Sequence, residues 1–221
     1  MRPWLTLFLA LHTLPYFANW QTDSVRFYEI NEILYDVLMS NPDSALQLIG
    51  EQETIAKRYD DWKLDYNHLK YYGGYFWVTG HLDQALTYFH QCLNMAQEHK
   101  DLRLVGAQYN NIAIIYNDLE DWPSCLEYNL KSLQLAQEEG IDNDLAISHN
   151  NLGNVYLKID SLDKSLRHLD SSISLCDKLG NVSLKGLAYS NKAKALLGKG
   201  DYHEALRLGE RSIALSKEVG A

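Results

Sequence analysis

Basic residues are scarce in this chain. Twenty lysines and arginines stand against 29 aspartates and glutamates, a formal charge of −9 over 221 residues. A nucleic-acid-binding surface is usually basic, so no nucleic-acid partner is expected. The acidic balance could suit a basic partner, and its plainer meaning is a soluble surface. Cysteine is rare too. Cys92, Cys125 and Cys176 lie far apart, which excludes a metal knuckle or a thioredoxin-like pair, and an odd count fits a disulfide framework poorly. All three fall within apolar helical patterns and read as small buried hydrophobes. Catalytic motifs are missing. His203-Glu204 lacks the second histidine of a zinc-protease helix, Gly198-Lys199-Gly200 is no phosphate loop, and no serine or cysteine stands in a nucleophile motif. No enzyme activity, cofactor or metal is expected here. After the first 18 residues no run is long and apolar enough for a membrane span.

Those first residues differ from the rest. Met1-Arg2 gives a positive start, Trp4 to Leu14 is broken only by Thr6, His12 and Thr13, and Pro15 ends the run. The layout is that of a secretory signal peptide over residues 1–18, although Tyr16 stands where a small residue is wanted before cleavage after Ala18. An exported protein of the periplasm or cell envelope is expected. An amphipathic first helix in a cytoplasmic protein is the alternative.

What is present in abundance is repetition. Tyr109-Asn110-Asn111-Ile112-Ala113-Ile114-Ile115-Tyr116 returns forty residues later as His149-Asn150-Asn151-Leu152-Gly153-Asn154-Val155-Tyr156. It returns more weakly as Tyr189-Ser190-Asn191-Lys192-Ala193-Lys194-Ala195-Leu196. A fixed period of this size signals a repeat array. A second marker agrees: His81-Leu82-Asp83-Gln84-Ala85-Leu86 has counterparts beginning at Asn41, Asp121, Ser161 and Asp201. After a short leader over 19–25, five repeats therefore begin near residues 26, 66, 106, 146 and 186 and run to 221.

Each repeat reads as a helical hairpin. Ile112, Ile115 and Leu119 form one apolar helical face. Asn41, Asp121, Ser161 and Asp201 suit the N-cap of the second helix, with Pro42 and Pro123 just inside it. Gly140, Gly180 and Gly220 suit a left-handed stop. Small residues recur where the two helices must approach: Gly73, Ala113, Gly153 and Ala193 on the first, Ala85, Cys125, Ser165 and Ala205 on the second. A single hairpin leaves an apolar side open, and only stacking buries it.

The pattern resembles the tetratricopeptide repeat. His149, Leu152-Gly153, Tyr156, Ser165, Leu169 and Ser172 fill the family's places in one repeat, and Leu69, Gly73, Phe76, Ala85, Phe89 and Cys92 fill them in another. The period of 40 exceeds the usual 34 and is similar to the repeats of kinesin light chains and of bacterial peptide-sensing regulators. The resemblance implies an all-α fold, an α-α superhelix (solenoid) of about five hairpins, whose first helices line a concave groove. Carried over residue by residue, the inward positions are Lys70, Asn110, Asn150 and Ser190, flanked by Tyr71, Asn111, Asn151 and Asn191, then Gly74, Ile114, Asn154 and Lys194. A row of amides offers donors and acceptors together and could hold an extended peptide by its backbone. The plainer reading is that these amides tie neighbouring helices or face water. Trp77 and Tyr71, in an aromatic stretch around Gly73-Gly74, could anchor a ligand at one end or pack against the degenerate first repeat.

The expected function is a non-enzymatic module binding a peptide or protein segment. The alternative is the sensory front of a larger bacterial signalling protein. Leu206, Ile213 and Leu215 are expected to lie under further repeats or a partner, because no polar capping helix follows them.

Overall fold

The computed structural model describes residues 19–220 with their side chains; the expected signal segment, 1–18, lies outside these described residues. Ten helices and no strand occur among the residues described. They are α1 (Pro3–Ser40), α2 (Pro42–Ala56), α3 (Trp62–Val78), α4 (Leu82–Glu98), α5 (Leu102–Asp118), α6 (Trp122–Glu139), α7 (Asp142–Lys158), α8 (Leu162–Leu179), α9 (Val182–Lys199) and α10 (Tyr202–Glu218). The chain divides into two compact units, Met1–Met95 and Ala96–Ala221.

In the first unit, Ile30, Leu34 and Leu38 of α1 meet Ala45 and Ile49 of α2 and Tyr71 of α3. A second cluster joins Phe27, Ile55, Ala56, Tyr59 and Leu64. Residues 19–25, expected as a leader, belong to α1 and pack: Trp20 meets Tyr59 edge-on at 4.6 Å, and Asp23 accepts from the Tyr59 hydroxyl at 2.8 Å. An indole that can bury its face against a neighbouring ring is held by the hydrophobic gain.

The second unit stacks three hairpins, α5/α6, α7/α8 and α9/α10, each successive pair in contact through α6 with α7 and α8 with α9. The register of the last contact is written in charge. Lys185, Lys192 and Lys199, seven residues apart on α9, pair with Asp177, Asp170 and Asp163, seven apart on α8. Two antiparallel helices that lie side by side bring positions seven apart to the same seam.

Turns keep the same beat. Left-handed backbone occurs at Gly80, Lys100, Glu120, Gly140, Asp160, Gly180, Gly200 and Gly220, every twenty residues. Glycine takes that conformation without the Cβ clash that other residues suffer. Caps agree in part. Asn41, Asp121 and Asp201 accept from the backbone N–H three residues on, as do Asp101 and Asn181. Ser161, expected to do the same, makes no side-chain cap bond; its hydroxyl stands one bond nearer the backbone than a carboxylate oxygen.

The small cysteines and serines have a use beyond size. Ser165 Oγ donates to the Gly153 carbonyl at 2.7 Å, and Cys125 Sγ to the Ala113 carbonyl at 3.3 Å, one period earlier. Ser172, Ser212 and Cys92 donate in the same way to Ala146, Gly186 and Tyr66. Burial pushes the Cys92 thiol up to about 12 and the Cys125 thiol to about 11, which leaves them protonated and inert.

Candidate functional site

Where the helices of one hairpin come closest, residue sizes compensate. Phe89 covers Gly73 and Leu169 covers Gly153, each pressing against the space a β-carbon would need. One period from both stands Asn129, facing Ala113. It is 2% exposed, an amide where its counterparts are a phenyl ring and an isobutyl group. Its Nδ2 donates to the Cys125 carbonyl at 2.9 Å. A carbonyl can only accept, so this bond fixes the amide's orientation. The Asn129 Oδ1 is buried and has no hydrogen-bond partner, and neither has Oδ1 of Asn117.

The shorter side chain opens a cleft of about 90 Å³. Ala113, Cys125 and Val155 form its apolar walls; Ile114, Asn117, Asn129, Asn151 and Asn154 complete it. Leaving a buried acceptor unpaired costs about 1–3 kcal/mol, and the two residues that carry these atoms both border the cleft. Sequence reasoning missed Asn117 and Asn129. The signal for Asn129 was present: a polar residue at the position filled by Phe89 and Leu169 in neighbouring repeats.

The expected amide row divides into two sets. Asn151 and Asn154 line the cleft and are half-buried. Asn150 is buried, its Oδ1 accepting from Nδ2 of Asn191 at 3.2 Å across α7 and α9. Asn110 Oδ1 accepts from Ser132 Oγ at 3.0 Å, and that hydroxyl lies 3.0 Å from Ser148 Oγ. Asn111 donates to the buried Gln108 at 3.3 Å. These four amides are engaged within the protein, Asn150 and Asn191 between first helices, Asn110 with a second helix and Asn111 within its own.

In the first unit, Tyr71 is 8% exposed, sits in the α1–α2 core and donates its hydroxyl to the Asn31 carbonyl at 3.1 Å. It packs against the first repeat and does not stand open as an anchor. Trp77 is half-buried near the end of α3. Lys70 is half-buried with its ammonium 4.3 Å above the Tyr71 ring, and burial lowers its pKa.

On α10, Leu206 and Ile213 are 67% and 59% exposed, as expected of an uncovered face, while Leu215 is half-buried against the α9 cluster. Leu197, Tyr202, Leu206 and Ile213 border an open cleft of about 600 Å³. One period earlier, Leu166 and Ile173 pack against Tyr189, Ala193 and Leu196 of α9. Among the described residues no helix is long and apolar enough to cross a membrane, and no group of three or more His, Cys, Asp or Glu could hold a metal ion.

Stacked antiparallel helix pairs of fixed period define a helical-hairpin repeat protein of the solenoid class. Residues 105–178 and 144–218 match the tetratricopeptide repeat family, together more than half of the sequence, and the chain belongs to that family. No curated protein sequence matches it. Solved structures of the same fold include BtubC (BKLC) from P. vanneervenii, 16% identical with a TM-score of 0.69 over 91% of each chain. NprR in complex with its cognate peptide NprX is 15% identical with a TM-score of 0.65, over 87% of this chain and 56% of that one. The STAND protein PH0952 from Pyrococcus horikoshii, with a tetratricopeptide repeat sensor, is 14% identical with a TM-score of 0.68, over 90% of this chain and 33% of that one. The matched family is a repeat rather than an enzymatic family.

Proposed function

We propose that this protein binds an extended peptide or protein segment through the amide-lined cleft between α5, α6 and α7. The observation that carries the proposal is the pair of buried, unpartnered acceptors, Oδ1 of Asn117 and of Asn129, beside Asn151 and Asn154. Peptide N–H groups are donors that could satisfy them, and the open amides alongside offer both donors and acceptors. The fold likeness to NprR, solved with a peptide, supports this reading. The cleft takes a backbone group or a small side chain, so larger side chains of the ligand would be read on neighbouring surface.

The test restores the neighbouring repeat's solution. Ala113→Gly with Asn129→Leu recreates the Gly153/Leu169 pair and fills the cleft. Peptides selected from a random library on the native protein should lose about tenfold or more in affinity for this variant, as one lost charge-free anchor of ~1.4 kcal/mol requires. Equal affinity in the variant would discard the cleft.

A second reading, the sensory repeat region of a larger signalling protein, is favoured by the likeness to the repeat sensor of PH0952. A kinase or DNA-binding domain encoded downstream in frame would support it, and a stop codon would count against it. Export is part of the first reading, on the leader pattern of residues 1–18. A periplasm-dependent reporter fused after residue 25 should be active, and a silent fusion would remove that part.

A further inference from the structure

An aromatic stack recurs inside successive hairpins. Phe76 lies on Tyr88 at 5.4 Å and 17°, Tyr116 on Tyr128 at 5.6 Å and 22°, and Tyr156 on His168 at 5.3 Å and 23°. In the hairpin α5/α6 a further tyrosine, Tyr109, flanks Tyr128 at 6.1 Å. In α7/α8 both members of that flanking contact are exchanged, for His149 and His168. Their Nδ1 atoms stand 3.0 Å apart.

We propose that His149 and His168 form a two-imidazole site for one divalent ion of the nickel, copper and zinc group. With metal–nitrogen bonds of about 2.0–2.1 Å, two ligands at a right angle sit about 2.9 Å apart and two tetrahedral ligands about 3.3 Å apart. The observed spacing falls between the two, so the helices can stay in place while the two rings turn out of the hydrogen bond that now joins their Nδ1 atoms. Imidazole is a favoured ligand for these ions. The stacked Tyr156 holds the His168 ring plane, and the Lys164 ammonium stands 5.2 Å from the centroid of the Tyr156 ring.

Protons balance without a redox step. Without an ion, one imidazole carries its proton on Nδ1 and donates to the other. On binding, that proton moves to Nε2 through solvent and both Nδ1 lone pairs turn to the ion. Burial lowers the pKa of both rings, with the neighbouring His149 and then Arg167 adding to the effect at His168. With only two protein ligands, water completes the coordination and the ion remains removable by chelators. The ion would brace the hairpin that carries Asn151 and Asn154, independently of whether a peptide binds there.

The experiment uses the full chain, stripped by chelator and titrated with Zn²⁺ by calorimetry and with Cu²⁺ by NMR of the histidine rings. One Zn²⁺ per chain is expected, with affinity falling about tenfold or more in His149→Tyr, in His168→Tyr and in the double variant, which rebuilds the Tyr109/Tyr128 pair. In the native protein, substoichiometric Cu²⁺ should broaden the His149 and His168 signals before those of the other six histidines among the eight. This second readout stands even if a variant misfolds. Unchanged Zn²⁺ affinity in the folded double variant, or first broadening at other histidines, overturns the proposal.

Discussion

Gly153 lies so close beneath Leu169 that an added β-carbon would stand 2.5 Å from Leu169 Cγ. Gly153→Ala should therefore destabilise the protein. Overpacking costs about 1–3 kcal/mol and outweighs a gain of about 1 kcal/mol in helix propensity. Gly106→Ala supplies the contrast, because its β-carbon would meet only Leu135 at an ordinary 3.5 Å. That variant should gain about 0.5–1 kcal/mol. Urea melts that place the two variants in the opposite order would refute the packing account.

Glu120 and Asp160 hold left-handed backbone at positions where Gly80 and Gly200 stand one repeat away. Glu120→Gly and Asp160→Gly should each stabilise by about 0.5–1 kcal/mol, since the steric cost of a side chain there is about 1–2 kcal/mol and glycine's extra chain entropy returns part of it. Gly180→Ala, at φ 67°, should lose about 1 kcal/mol or more. Thermal midpoints measured on the three proteins decide the matter.

His68, His149 and His168 are all held below the ordinary imidazole pKa, each mainly by burial. The unfolded chain takes up these protons first as pH falls below about 6.5. The stability they contribute is present above that value and is lost as pH falls towards the lower folded pKa values. Unfolding free energy should thus decline between pH 7 and 5, with a shallower slope in the variant carrying both His149→Tyr and His168→Tyr. Identical slopes in native and variant proteins would contradict the assignment.

Cys125 donates to the Ala113 carbonyl as Ser165 does to that of Gly153. Cys125→Ser should be nearly neutral, within about 1 kcal/mol, whereas Cys125→Val, which leaves the carbonyl without that donor, should cost about 1–3 kcal/mol. In the native protein none of the three buried thiols should react with a thiol reagent at pH 8 until the chain unfolds. Fast labelling of the folded protein would contradict this.

Much of the fold is legible in the chain itself. Residues such as Asn41, Asp121, Gly140 and Gly180 act on the backbone next to them, so their roles follow from local chemistry. The small residues at 73, 113, 153 and 193 betray close helix contact by their period alone. The site is less legible, because a hydrogen bond has a partner that sequence distance does not reveal. Asn150 and Asn151 are neighbours with the same side chain. One spends its amide on Asn191, 41 residues away, and the other lines the cleft.

The sequence by itself determined the period, the turns and the faces to be buried, since steric and solvation preferences repeat with the residues that carry them. Only the tertiary structure decided which amides are consumed between helices and which acceptors are left over. Those outcomes depend on whether Asn129 or a larger apolar group fills the space opposite Ala113, and filling space is a property of two helices together.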